Sequence, residues 1–397
     1  MEHVTNIWFI AAAWMGLAFV ASILSIRTGI SVALFEIGMG VVAGNFLGLH
    51  PTEWVSFLAT FGAGLLTFLA GAEIDPESLR THLRAALGIG IVSFLMPFLG
   101  AWAFAYWVTG WTYQAALICG IALSTTSVAV VYAVMVETGL SSTSLGKMIL
   151  AACFVTDFGT VLALGIFFAD FNRWLIVFVV VLAVVLRFLP QLLRSAISTF
   201  GSRRVSEPEV KFLFLVLFFL GGLATTARSE AVLPAYLAGL IVAGVFLEDR
   251  VLVNRMRSIA FTMLTPFYFI KAGLFVSLPA VATSAGLILA LLAIKLAAKF
   301  VGVWPVARAF HLPVREANYT TLMMATGLTF GTISALFGLE NHFIDQTQYT
   351  VLVTVVIGSA VVPTLIAQWF FEPEIPSSDQ IAAAAVAPVG VQAQHAR

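Results

Sequence analysis

The stretch from 151 to 169, AACFVTDFGTVLALGIFFA, holds a single acidic side chain, Asp157, near the middle of a hydrophobic helix. In a membrane-spanning helix this carboxylate would lie roughly 15 Å deep, where ionisation is costly unless water or a partner compensates it. A carboxylate in such a place can bind a proton or a cation reversibly. We therefore interpret Asp157 as functional. The alternative is an acid that a neighbouring helix satisfies for packing.

Three lysines also lie within apolar segments. Lys295 and Lys299 share a helix face at positions i and i+4 of LLAIKLAAKFVG, and Lys271 lies in PFYFIKAGLFVSLP. We predict a buried role for Lys295, whereas Lys299 can reach the cytoplasmic surface by snorkelling. Lys271 is expected to project towards the interior from an irregular part of its helix. The sequence alone does not decide which of these amines approaches Asp157.

The second apolar segment, ALFEIGMGVVAGNFLGLHP, contains one further acid and two glycines. Glu36 either lines the same pathway or forms a structural ion pair with another helix, and we favour the ion pair. Gly40 and Gly44 are four residues apart, a spacing that indicates close helix packing.

Two apolar segments are interrupted where a helix should be most apolar. The first contains four consecutive hydroxyl residues, Ser124, Thr125, Thr126 and Ser127. The second contains hydroxyl residues and glycines, namely Thr326, Gly327, Thr329, Gly331 and Thr332. Hydroxyl side chains can satisfy the backbone groups that a break sets free. We predict two broken helices, the alternative being two helices that are merely kinked by Ser and Thr.

The composition is that of a polytopic membrane protein. Apolar residues make up 60% and charged residues 10% of the 397 residues, against about 25% charged in soluble chains. The formal net charge of zero gives no reason to expect nucleic-acid binding. Cys119 and Cys153 lie in apolar runs and are expected to be buried thiols, and the six histidines lack ligand spacing. We therefore predict neither a resident metal nor a cofactor.

Thirteen apolar segments are long enough to cross about 30 Å of hydrocarbon. They run approximately over 6–25, 29–47, 54–72, 85–108, 112–135, 146–169, 173–192, 211–226, 231–247, 259–278, 281–307, 315–338 and 347–371.

The basic residues segregate to one side if the connections alternate across the membrane. Fifteen of the twenty fall on the odd connections and the tail: Arg27, Arg80, Arg84, Lys147, Arg187, Arg194, Arg203, Arg204, Lys211, Arg250, Arg255, Arg257, Arg308, Arg315 and Arg397. The even connections hold only Arg173 and Arg228. This bias predicts a cytoplasmic odd side, with the N-terminus outside and the C-terminus inside.

The two interrupted segments, the fifth and the twelfth, are seven apart and therefore cross in opposite directions. This arrangement predicts an inverted repeat, about 6–169 and 211–371, joined by a connector helix at 173–192. The whole of 1–371 is then one transmembrane domain. The remainder, 372–397, is rich in Ala, Pro and Gln and is predicted to be a disordered cytoplasmic tail.

Several stretches carry a resemblance to a known family. They are FEIGMGVVAGNFLGLHP at 35–51, LTFLAGAEIDPESLR at 66–80 and ALSTTSVAVVYAVMVETGLSSTSLGKMILAACFVTDF at 122–158, with weaker support at 233–244, 266–278 and from 295 onwards. On these stretches the chain resembles the monovalent cation:proton antiporter-2 family, in the compact form of the NapA-like sodium/hydrogen exchangers.

The resemblance implies an all-α antiporter fold of the NhaA and NapA type and a homodimer, each protomer having a dimerisation domain and a six-helix core. In the family an Asp-Asp or Asn-Asp pair marks the ion site. Asp157 matches its second position and Thr156 occupies the first. The first acid is thought to pair with a lysine, for which Lys295 is the best match. Because Thr156 cannot carry that charge, we expect electroneutral exchange of one cation for one proton.

We therefore predict an antiporter of the inner membrane, in contact with lipid, in which Na⁺ or K⁺ competes with a proton for Asp157. Neutral oxygens from Thr156 and the broken helices would serve the cation, which favours oxygen ligands. The alternatives are a sodium-coupled carrier of an organic anion and, less favoured, a cation channel or membrane sensor. An enzyme is disfavoured because the segments contain no paired aspartates, Ser-His arrangement or histidine-rich motif.

Overall fold

The structure is a computed structural model that describes residues 6–28, 31–72, 74, 81–140, 143–168, 173–200, 206–227 and 231–373. All regular elements in these ranges are helical, as the composition predicts. The predicted disordered tail lies outside the described residues from 374 onwards. So do five arginines of the charge comparison: Arg80, Arg203, Arg204, Arg228 and Arg397.

The helices are numbered in chain order. They are α1 (Ile7–Thr28), α2 (Val32–Phe46), α3 (Glu53–Ala72), α4 (Leu83–Ala103), α5 (Tyr113–Ser124), α6 (Val128–Glu137), α7 (Ser144–Phe167), α8 (Arg173–Phe200), α9 (Pro208–Thr226), α10 (Val232–Glu248), α11 (Arg250–Ile259), α12 (Thr265–Leu274), α13 (Leu278–Thr283), α14 (Ala285–Ala309), α15 (Val314–Ala325), α16 (Thr329–Glu340) and α17 (Gln346–Phe371). A π-helical turn, Phe104–Val108, extends α4, and another, Ala260–Leu264, joins α11 to α12.

Each of the thirteen predicted segments coincides with helical structure. Within the described ranges, ten stretches are long and apolar enough to span a bilayer, and the shorter α2 and α10 are apolar as well. The predicted segment at 259–278 is formed by the π-helical turn and α12. The protein is therefore an all-α, multi-pass membrane protein, as predicted.

The helices pack as two bundles. In the core bundle, α4 packs against α5, α7 and α14, while α15 packs against α14 and α17, and α16 packs against α5 and α17. In the scaffold bundle, α3 packs against α10 and α12, α2 packs against α1 and α12, and α8 lies against α9 and α10. The two bundles meet where α7 of the core bundle packs against α10 of the scaffold bundle.

Glycines bring the backbones of the scaffold bundle into direct contact. A Cβ at Gly40 would overlap the carbonyl oxygen of Ile270 on α12, and one at Gly44 would lie 2.5 Å from the carbonyl oxygen of Leu274. Between α3 and α10, Gly71 and Gly239 are equally confined by backbone atoms of the opposite helix. The close packing predicted for Gly40 and Gly44 is confirmed.

Both interrupted segments are broken helices rather than kinked ones. Helix α5 ends at Ser124 and α6 begins at Val128, while α15 ends at Ala325 and α16 begins at Thr329. The breaks contact each other, because Thr126 Oγ1 donates to the carbonyl of Met324 at 2.7 Å. The predicted crossing of two broken helices is therefore present at the centre of the core bundle.

Candidate ion-binding site

Asp157 lies in the second half of α7, which begins at a Thr143 cap whose hydroxyl accepts from the backbone N–H of Gly146 at 3.1 Å. Its side chain is only 1% exposed. Among the residues that the structure describes, its Oδ1 atom has no hydrogen-bond partner. A buried carboxylate oxygen without a partner is unfavourable unless a proton or a cation occupies it. This atom is therefore a candidate position for a proton or a cation.

Thr156 precedes this acid and is fully buried. Its hydroxyl donates to the carbonyl of Cys153 at 2.7 Å, a bond within the same helix. Two residues earlier, the carbonyl of Phe154 accepts a hydrogen bond from Tyr236 of α10 at 3.1 Å, which connects α7 to the scaffold bundle. A hydroxyl oxygen that donates can still accept, so Thr156 retains lone pairs for a cation.

Lys299 is the lysine that interacts electrostatically with Asp157. Its ammonium donates to Ser93 Oγ on α4 at 2.7 Å, to the carbonyl of Ser124 at 3.0 Å and to Thr126 Oγ1 at 3.2 Å. It thus caps the C-terminal end of α5, where the helix dipole favours a cation. Lys299 is fully buried, so the snorkelling interpretation is wrong.

Lys295, one turn away on α14, contacts the other break. Its ammonium donates to Ser359 Oγ on α17 at 2.9 Å and lies against Gly327, the middle residue of the break between α15 and α16. It is fully buried, in agreement with the predicted buried role. The structure therefore gives each break its own lysine and puts Lys299, rather than Lys295, in contact with the α5 end near Asp157.

Lys271 lies apart from the crossing, in regular helix α12. Its ammonium pairs with Glu340, the last residue of α16, at 2.5 Å. The pair lines a cavity of about 480 Å³ between the two bundles, together with Tyr268, Asn341 and residues of α3 and α10. Lys271 therefore connects the scaffold bundle to the core bundle. Glu340 was not identified from the sequence as the partner of Lys271, because Glu340 lies just beyond the predicted apolar segment 315–338.

Glu36 lies on α2 in the scaffold bundle and is 2% exposed. Within the described ranges its Oε2 atom has no hydrogen-bond partner, and no ion pair of Glu36 occurs there. The structural ion pair that we favoured is therefore not seen in this part of the chain.

The hydroxyl residues of the breaks mostly satisfy carbonyls of their own half-helices. Ser124, Thr125 and Thr326 each donate to the carbonyl three residues earlier, at 2.8, 3.1 and 2.8 Å. Ser127 Oγ accepts from the backbone N–H of Val130 at 3.4 Å. All of these predicted lining residues and Thr126 are buried, whereas Thr329 at the start of α16 is half-buried. Their unused lone pairs are neutral acceptors close to the crossing.

Comparison with known proteins agrees with this architecture. Residues 15–372 match the family described as "Sodium/hydrogen exchanger, transmembrane". A Na(+)/H(+) antiporter of Enterococcus hirae is 24% identical over 371 residues, which cover 88% of this chain and 94% of that protein. The Na(+)/H(+)-K(+) antiporter GerN of Bacillus cereus is 24% identical over 347 residues, covering 84% and 88%.

A solved structure gives the same answer for the fold. The sodium proton antiporter MjNhaP1 from Methanocaldococcus jannaschii, solved at pH 8, superimposes with a TM-score of 0.68 at 14% identity, covering 93% of this chain and 97% of that one. At this identity the likeness speaks for the fold alone. Since the family match extends over nearly the whole described chain, the protein belongs to the sodium/hydrogen exchanger family of transmembrane proteins.

Proposed function

We propose that this chain exchanges a monovalent cation, Na⁺ or K⁺, for one proton by competition at Asp157. The observation that carries the proposal is the buried Oδ1 atom of Asp157, which has no hydrogen-bond partner among the described residues. Burial favours the neutral, protonated carboxyl, whereas a bound cation favours the ionised one. Each ligand therefore expels the other, which is the coupling that an exchanger needs.

The exchange is electroneutral by charge counting. With a cation bound, the carboxylate and its ligand sum to zero, and with a proton bound the carboxyl is also neutral. Lys299 donates to three oxygen acceptors, and we take its charge to be the same in both states. Thr156 adds no charge at the position where the family that this chain resembles carries Asp or Asn. A loaded core bundle thus carries the same charge in both directions.

Neutral oxygens complete the cation's coordination. Thr156 precedes Asp157 in α7, and the hydroxyls of Thr125, Thr126 and Thr326 lie at the crossing, all of them buried. Hard cations favour such oxygen ligands. The names of the relatives include both sodium and potassium, which supports either ion as the exchanged cation.

Transport occurs when the core bundle moves against the scaffold bundle and exposes Asp157 to one side at a time. The glycine contacts of the scaffold leave it little freedom to deform, which suits a fixed support. Polar contacts at the bundle boundary, such as the Tyr236 bond to Phe154 and the Lys271–Glu340 pair, can be broken and remade during this motion.

The chain contains two inverted repeats, about 6–169 and 211–371, and each repeat contributes helices to both bundles. Helix α8, from 173 onwards, connects the repeats. Large apolar side chains are exposed on α1 and α8. Only 17% of the most apolar 18-residue stretch of each helix is buried. Lipid and a second protomer of a homodimer cover these faces. The N-terminus faces the outside of the inner membrane and the C-terminus the cytoplasm, as the basic residues indicate.

Uptake of an organic anion is the second candidate, because the cavity of about 480 Å³ is large enough for a small organic molecule. Its lysine, Lys271, is however already paired with Glu340. The cavity therefore offers no uncompensated positive charge to an anion, and we favour the small cation.

Exchange in proteoliposomes tests the proposal. A pH jump in the presence of Li⁺, Na⁺, K⁺ or Rb⁺ is expected to drive cation-dependent proton movement in the wild type and none in Asp157→Asn. Glu36→Gln is the matched control, since it neutralises a buried acid of the scaffold bundle and should retain exchange. Retained exchange in Asp157→Asn would refute the role of this acid.

The same vesicles test the stoichiometry. On a solid-supported membrane, a cation gradient at equal pH should produce no sustained current, because each turnover moves no net charge. A current that persists without a proton gradient would exclude one-for-one exchange while leaving the role of Asp157 intact.

A further inference from the structure

The two halves of the core bundle have the same register. The N-caps of α7 and α17 are Thr143 and Asp345, whose side chains each accept from the backbone N–H three residues later, at 3.1 and 2.7 Å. Asp157 lies fourteen residues after the first cap and Ser359 fourteen residues after the second. Both side chains are buried. Ser359 therefore occupies in α17 the position that Asp157 occupies in α7.

The breaks confirm this register. Helices α5 and α15 both contain 12 residues, and each is followed by a threonine in extended conformation. Thr125 has φ −63° and ψ 153°, and Thr326 has φ −65° and ψ 132°. Positions in the two halves can thus be compared residue by residue around the crossing.

The helices that carry the polar groups correspond as well. Ser93 lies eleven residues after His82, the N-cap of α4, and Lys295 lies eleven residues after Ser284, the N-cap of α14. One half therefore has a short hydroxyl side chain where the other has a long ammonium side chain. The half that contains Asp157 is the one with the short side chain.

The two corresponding positions differ in what fills them. At Asp157, Oδ1 is without a hydrogen-bond partner in the described part of the chain. At Ser359, the hydroxyl accepts from Lys295 Nζ at 2.9 Å and donates to the carbonyl of Val356 at 2.9 Å. The ammonium lies against Gly327, where a Cβ would overlap it and would lie 3.1 Å from both Ser359 Oγ and Thr125 Oγ1.

We propose that the Ser359 position is a second, latent site for a monovalent cation, and that the Lys295 ammonium is a tethered cation that fills it. This inference rests on the proposed function, since it takes the place beside Asp157 to be the site of the transported ion. The neutral oxygens around Lys295 Nζ are the ligand type that a small hard cation takes. Lys295 thereby limits the chain to one mobile cation.

The test gives the second half of the core bundle a carboxylate at the position that corresponds to Asp157 in the first half. The double variant Lys295→Met, Ser359→Asp removes the tethered ammonium and adds a carboxylate. Binding of ²²Na⁺ to purified protein at alkaline pH should rise from about one ion per protomer to about two. Ser359→Asp alone should stay at about one, because the retained ammonium neutralises the new carboxylate.

The outcomes separate this inference from the proposed function. A double variant that elutes as the wild type does in size-exclusion chromatography yet binds one ion overturns the latent site. A wild type whose binding is unchanged by Asp157→Asn instead overturns the proposed function. Adding Asp157→Asn to the double variant should leave about one ion bound, at the carboxylate that Ser359→Asp introduces.

A second variant decides the question if the double variant fails to fold. Lys295→Ala leaves the oxygen pocket empty and should slow exchange about tenfold, as expected for loss of a hydrogen-bonded charge. Propylammonium in solution should then restore exchange by entering the vacated position, with no such effect on the wild type. Slowed exchange that propylammonium does not restore contradicts the tethered cation.

Discussion

The core and scaffold bundles differ in the contacts at their centres. At the centre of the core bundle, Lys299 contacts the broken end of α5 through hydroxyl and carbonyl oxygens. Lys295 donates to Ser359 of α17 and lies beside Gly327 in the other break. At the centre of the scaffold bundle, uninterrupted helices contact each other backbone to backbone at glycines such as Gly40 and Gly71. Buried lysine bonds thus distinguish the centre of the core, and close backbone contacts at glycines distinguish the centre of the scaffold.

The difference indicates how a membrane protein can move a charge-binding site. Polar bonds within the core hold Lys299 against the end of α5, because an ammonium without partners would be costly in hydrocarbon. Steric fit in the scaffold resists deformation, because backbone atoms cannot yield to an added methyl group. The boundary between them holds a partly exposed contact, the Lys271–Glu340 pair.

The largest effect that would test this comparison is expected from Lys299→Met. It removes three hydrogen bonds and the cation at the end of α5, so exchange should be lost and stability should fall by about 3 kcal/mol. Thermal unfolding in detergent and the pH-jump assay measure both. Lys295→Met removes one hydroxyl partner and should destabilise less. Equal losses in the two variants would contradict the assignment of Lys299 to the acid.

A smaller effect is expected in the scaffold from Gly40→Ala. Its Cβ would overlap the Ile270 carbonyl oxygen, so α2 must shift, at a cost of about 1 to 3 kcal/mol. Gly38→Ala on the same helix has open space around its Cβ and should be neutral or slightly stabilising. The unfolding midpoints of the two variants provide the measurement. If both behave alike, steric fit does not hold the scaffold.

The smallest effect is expected at the boundary, from Lys271→Gln or Glu340→Gln. The side chain of Glu340 is 41% exposed, so solvent screens the pair and its contribution is about 1 kcal/mol or less. Breaking it should change the apparent cation KM up to about fivefold by shifting the core relative to the scaffold. The swapped pair Lys271→Glu, Glu340→Lys should recover the wild-type KM. Failure of the swap would mean that the contact does not connect the two bundles energetically.

Hydropathy and interruption patterns predicted most of the fold. The thirteen segments and both broken helices follow from them, because a bilayer requires long apolar helices and because Ser, Thr and Gly can compensate a break. Snorkelling of Lys299 was wrong because a position along a helix does not tell whether lipid or protein covers it. The bond of Lys299 to Ser93 spans 206 residues, and that of Lys295 to Ser359 spans 64. No local pattern contains these partners.

The sequence by itself determined the membrane class, the interrupted helices and the deep acid Asp157, since each depends on residue type and spacing along one segment. Only the tertiary structure decided which lysine serves which break and which carboxylate oxygen is left without a partner in the described chain. It also decided that Lys271 joins the two bundles. These outcomes depend on contacts between distant segments, where packing selects one partner among several that are chemically equivalent.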